Sequence, residues 1–138
     1  MNLTLQENKR KLQSSAKLLI HSLQRVDAFD PKKDYTPQEL EPYDALTSRF
    51  IRFYEMALQY FRTYDYVNNI SPTDNFRDLI HYMHKQQLID DENTWFEMRV
   101  VRNKITHDYL PIQIEAMYHT IITAFATEVA HVNRMIEN

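Results

Sequence analysis

The chain has no glycine and no cysteine among its 138 residues, one tryptophan and five prolines. Hairpin turns, dinucleotide-binding turns and phosphate-cradling loops need positive φ or close backbone approach. The lack of glycine therefore argues against β-sandwiches, Rossmann units and P-loops. Without cysteine there is no disulfide framework, no thiol nucleophile and no thiolate-ligated zinc. The prolines (Pro31, Pro37, Pro42, Pro72, Pro111) are read as falling between periodic segments and never inside one, which favours helices. No uninterrupted apolar run approaches membrane-spanning length and the first ten residues are polar and charged, so a cytoplasmic protein without membrane contact is expected. Excess positive charge is also lacking. With a net charge of −3 and a pI near 6.0, any contact with nucleic acid has to come from a local basic face.

What is present is the balance of a soluble domain, 43% hydrophobic and 25% charged, in a length suited to one shared core. Residues 1–138 are read as a single domain. Leu5, Leu12, Leu19, Leu23 and Val26 give a first amphipathic helix over about 4–27, followed by a proline-rich connection from Asp30 to Pro37. A second helix, about 42–67, carries one stripe through Leu46, Phe50, Phe53, Ala57, Phe61 and Tyr64 and another through Ile51, Tyr54 and Leu58. Two stripes imply burial on two sides, by several neighbours or by a second subunit, and a homodimer is expected on this ground. Ser71 and Pro72 read as N-cap and first residue of a short third helix, and Asp90, Asp91 and Glu92 as the start of a fourth, about 91–109, stopped by Pro111. Ile114, Met117, Ile121, Phe125, Val129, Val132 and Ile136 mark a long last helix. The expected fold is all-α, an antiparallel bundle of four long helices plus one shorter helix.

On the fourth helix, at roughly 100° per residue, Trp95, Met98, Val101, Ile105 and Tyr109 share the core side, while Glu97, Lys104 and Asp108 share a solvated one. The remaining arc holds Arg99, Arg102, Asn103, Thr106 and His107, two guanidiniums, an amide, a hydroxyl and an imidazole. Arg102 and His107 lie roughly 140° apart, placed to flank a phosphate. The spacing alone is weak, since an Arg-x4-His pair arises by chance roughly 0.4 times in such a chain. Arg77 and His84 form a looser pattern of the same kind that reads as helix surface. His107 has an ordinary explanation as a hydrogen-bonding residue near a helix C-terminus, and Tyr109 one as a core-edge residue. His81 and His84 are not joined by a carboxylate spacing that would complete a zinc site, and no metal is expected.

The context lifts the first match. Asn103 follows the arginine, Asp108 and Tyr109 follow the histidine, and the segment closes the penultimate helix before Pro111. The stretch from Trp95 to Leu110 resembles the signature of the HEPN superfamily, in particular HepT-like toxins carrying Arg-x4-His-x-Tyr. The resemblance runs more loosely through Arg49, Arg52 and Arg62 and through Asn75 to Leu79. It implies a HEPN fold and a toxin that acts as a metal-independent endoribonuclease, with the motif residues of a homodimer meeting in one cleft on RNA, not DNA. In that picture His107 is the general acid or base, Arg102 clamps phosphate, Asn103 orients either, and Arg99 and Thr106 assist in binding RNA phosphate. The resemblance further implies AMPylation of Tyr109 by a minimal nucleotidyltransferase antitoxin, and no resident cofactor. The alternative it leaves open is a non-catalytic HEPN subunit that binds the partner nucleotidyltransferase or its nucleotide substrate.

Overall fold

The computed structural model describes residues 2–107 and 111–137, and the side chains of all of these except 111–115. Its elements are α1 (Leu3–Arg25), α2 (Pro37–Asn68), α3 (Phe76–Lys85) and α4 (Glu92–His107), then a continuous last segment made of α5 (Pro111–Thr120), a π-helical turn (Ile121–Phe125) and α6 (Ala126–Met135). This is the expected all-α bundle, with four long helical segments and a short third one and no strand among the described residues.

Helices α1 and α2 run antiparallel, as two links at opposite ends require. Asn8 Nδ2 donates to Thr63 Oγ1 at 2.8 Å, and Arg49 Nη1 donates to the Leu18 carbonyl at 3.1 Å and to Ser22 Oγ at 2.9 Å. Asn8, although polar, is thus buried with its hydrogen bond made. The core is aromatic: Phe61 meets the Trp95 indole edge-on at 5.2 Å, Tyr54 stacks on the same indole at 6.3 Å, and Phe50 stacks on Phe125 at 5.1 Å. Both stripes of α2 are therefore covered from within the chain, because Tyr54 and Leu58 join the core that Phe50, Phe53 and Phe61 build. The second stripe does not call for a second subunit.

Two helix starts differ from the sequence reading. Helix α2 begins at Pro37, not near Pro42, because Thr36 and Glu39 form a capping box: Glu39 N donates to Thr36 Oγ1 and Thr36 N donates to Glu39 Oε1. Lys33, 2.8 Å from the Glu39 carboxylate, and then the Thr36 donors hold that carboxyl down at about 2. Pro42 consequently lies inside the helix, where its ring removes only the bond to the Gln38 carbonyl. Helix α3 begins at Phe76 with Asn75 as N-cap, not at Pro72. The segment before it is held instead by the buried carboxylate of Asp65, which accepts from Thr73 N at 2.9 Å, from the Thr73 hydroxyl at 2.6 Å and from Asn69 Nδ2 at 2.8 Å. Helix α4 is capped as expected, Asp91 accepting from Asn93 N and from the Thr94 hydroxyl. It is described as far as His107, and Tyr109 lies outside the described residues.

The π-helical turn has a legible cause. Met117, Ile121, Phe125 and Val129 are all buried and follow one another at intervals of four. In a regular α-helix each such step drifts by about 40°, so three in a row would carry the stripe away from the core. A wider turn at Ile121–Phe125 takes up that drift.

The end of α3 shows what the absence of glycine costs. Leu88 N donates to the Met83 carbonyl and Gln87 N to the His84 carbonyl, a Schellman ending whose pivot is usually glycine; here Gln87 takes it with φ of 66°. A side chain in that region is unfavourable, so Gln87→Gly is expected to raise stability by about 0.5–1 kcal/mol, and Gln87→Val to lower it. Thermal unfolding of the two variants checks this, and a Gln87→Gly midpoint at or below wild type would contradict it.

Candidate phosphate-binding cleft

The residues singled out on α4 divide between a cleft and open surface. Helix α4 turns Trp95, Met98 and Ile105 into the core, which sets the rotation of the helix and presents the neighbouring arc to α2. Between α2, α4 and the start of α3 lies a cleft of about 310 Å³ lined by Tyr54, Glu55, Leu58, Arg62, Phe76, Arg99, Arg102 and Asn103. Arg99, Arg102 and Asn103 are thus brought together as expected. Thr106 is not among the lining residues; its hydroxyl donates back to the Arg102 and Asn103 carbonyls. His107 is exposed at the end of α4 and does not line the cleft either.

Each cation is held differently. Arg102 Nη2 donates to Glu55 Oε1 at 2.9 Å and Nη1 donates to Asn103 Oδ1 at 3.2 Å, while its Nε–H is buried with no partner among the described residues. The Arg99 guanidinium lies over the Phe76 ring at 4.7 Å, so an aromatic face holds it in place without neutralising it. Arg62, from α2, has no ion-pair partner among the described residues. Three guanidiniums therefore share the cleft with one carboxylate. Their field reaches the wall: burial pushes the Tyr54 hydroxyl up to about 12, and Arg99, Arg102 and Arg62 oppose that rise.

Three members of this site escape sequence reasoning. Arg62 reads there only as part of an arginine-rich helix. Glu55 and Phe76 carry no local signal, because a single carboxylate on a helix surface and a single phenylalanine at a helix start are common. Their roles come from the packing of α2 and α3 beside α4. Elsewhere, Arg77 lies over the Phe96 ring at 5.2 Å and both His81 and His84 hydrogen-bond to Glu92 Oε2, at 3.1 and 2.6 Å, so the looser arginine–histidine pattern belongs to the α3–α4 contact. Among the described residues no group of three or more histidine, aspartate or glutamate side chains has the geometry to hold a metal ion, and no helix is long and apolar enough to cross a membrane.

A family model described as nucleotidyltransferase substrate binding protein like matches residues 9–138. No curated protein and no solved structure gives a significant match.

Proposed function

This chain belongs to the nucleotidyltransferase substrate binding protein-like family, and from that premise we propose that it is the accessory subunit of a nucleotidyltransferase and binds a phosphate-bearing substrate or nucleotide in the α2–α4 cleft. The observation that carries this reading is the concentration of Arg62, Arg99 and Arg102 around one cleft in a chain whose net charge is −3. Planar guanidinium forks match phosphate oxygens in pairs, and a partly enclosed cleft strengthens the attraction relative to open water. The described lining residues include no histidine, so the single chain offers there the means to hold an anion and orient it, with no imidazole to move protons. Titration of the protein with AMP tests the reading. Arg62→Ala and Arg99→Ala are each expected to weaken binding by about tenfold, the worth of one modest charged hydrogen bond; unchanged affinity in both would overturn it.

A second reading is favoured by the order Arg102-x4-His107-x-Tyr109. Here two copies pair, the exposed His107 of each joins the arginines, and the homodimer is a metal-independent endoribonuclease toxin. His107 takes the proton of a ribose 2′-hydroxyl, whose oxygen bonds to phosphorus as the bond to the 5′-oxygen breaks. The His107 of the other copy, in its protonated form, gives a proton to that leaving oxygen, and the products are a cyclic phosphate and a 5′-hydroxyl. Neutralisation follows when the Tyr109 oxygen takes AMP from ATP on a nucleotidyltransferase antitoxin, releasing pyrophosphate and adding bulk and negative charge beside the site. In this reading His107→Ala abolishes RNA cleavage and intact mass rises by one adenylate after incubation with the antitoxin and ATP. Equal cleavage by wild type and His107→Ala would sink it.

A further inference from the structure

Glu55 deepens the phosphate-binding reading, on which the following rests. The guanidinium of Arg102 presents Nη2 and Nε–H along one edge, the edge that a bidentate oxyanion takes. Glu55 uses half of that edge, Oε1 to Nη2 at 2.9 Å, and the Nε–H beside it is left buried and without a partner among the described residues. The other hydrogen-bonding side, Nη1, is spent on Asn103. The carboxylate is therefore an anion already in place, but with one bond where two are on offer. Its side chain is 46% exposed, so it can leave for water without being stranded in the core.

We infer that Glu55 is a built-in competitor for Arg102 that holds down the affinity of the cleft for every anion, and most of all for terminal phosphate, as in a phosphomonoester or diphosphate. An incoming anion has to replace the carboxylate on Arg102. A phosphodiester carries a single charge, as the carboxylate does, so exchanging one for the other gains little. A phosphomonoester carries about −1.5 to −2 near neutral pH and three acceptor oxygens. It can take both Nη2 and Nε–H of Arg102 and still reach toward Arg62 or Arg99. Breaking the Glu55–Arg102 pair costs every ligand the same, and the displaced carboxylate then repels a dianion about twice as strongly as a monoanion.

AMP and 3′,5′-cyclic AMP share the same base and differ in this charge, so the pair isolates the effect. Calorimetric titration of wild type is expected to favour AMP by at least about tenfold, the value of a single extra charged hydrogen bond. In Glu55→Gln both ligands are expected to bind more tightly, AMP by the larger factor, so that its preference over cyclic AMP rises by about threefold. Glu55→Asp, too short to hold Nη2 at the same distance, is expected to fall between. If Glu55→Gln leaves both affinities or their ratio unchanged, or lowers that ratio, the inference is overturned while the phosphate cleft stands. If neither wild type nor Glu55→Gln binds either ligand, both the inference and the cleft reading fail.

Discussion

Glu128→Ala is expected to lower the thermal midpoint by roughly 10–15 °C, a far larger effect than either substitution at Gln87. Glu128 is 2% exposed, and its Oε1 alone accepts from Asp90 N at 2.8 Å, from Asp91 N at 3.2 Å and from Trp95 Nε1 at 2.9 Å. One oxygen from α6 thereby ties the entry of α4 to the indole at the centre of the core. Removing it leaves three donors without an acceptor, each costing about 1–3 kcal/mol before the surroundings relax, so a net loss of about 3–4 kcal/mol follows. Glu128→Gln keeps an acceptor in place and is expected to lose about 1 kcal/mol. Thermal unfolding of the pair checks the assignment; an alanine variant within about 3 °C of wild type would contradict it.

The bundle was legible because its determinants are periodic. Phe50, Phe53, Ala57 and Phe61 repeat at three and four and are all fully buried, as are Trp95 and Met98. What could not be read was set by contacts between segments. Thr36 and Glu39 stood in plain view as a capping box with Pro37 at the first helical position, but the prolines on either side made the stretch look like loop. Ser71–Pro72 made a good helix start by local rules and lost to Asp65, which takes up the donors of Thr73 eight residues away. Glu128 lies on the stripe of Phe125, Val129 and Val132, so its position in the sequence did mark it for burial, though not the indole it meets.

The site was legible to a lesser degree. Arg99, Arg102 and Asn103 could be placed on one arc because all three belong to one helix. Angular position does not say which neighbouring helix faces that arc, and this is why Glu55 and Arg62 were not foreseen as its opposite wall. The same geometry separates His107 from Arg102. Five residues on, it leaves the cleft at the end of α4, so a single chain joins guanidiniums without imidazole. The homodimer, RNA cleavage and AMPylation implied by the family resemblance all depend on what meets this end of the helix.

Arg102→Ala is expected to weaken AMP binding by about 10- to 100-fold, the worth of a charged hydrogen-bonding group at a partly enclosed anion site. Arg102→Lys should recover only a small part, because an ammonium carries the charge without the planar edge. Stability should change little in either variant: the Arg102–Glu55 pair is partly exposed, and such pairs contribute about 0–1 kcal/mol. A variant that keeps wild-type affinity would remove Arg102 from the site.

The most direct measurement is the arginine side-chain N–H spectrum of the protein, recorded by NMR as AMP is added. The resonances of Arg62, Arg99 and Arg102 should move together and saturate at one concentration, Arg102 Nε–H most of all as it gains its first partner, while Arg10 and Arg134, away from the cleft, stay in place. Movement confined to other arginines, or none at concentrations where AMP is bound, would contradict the assignment of this cleft as the phosphate site.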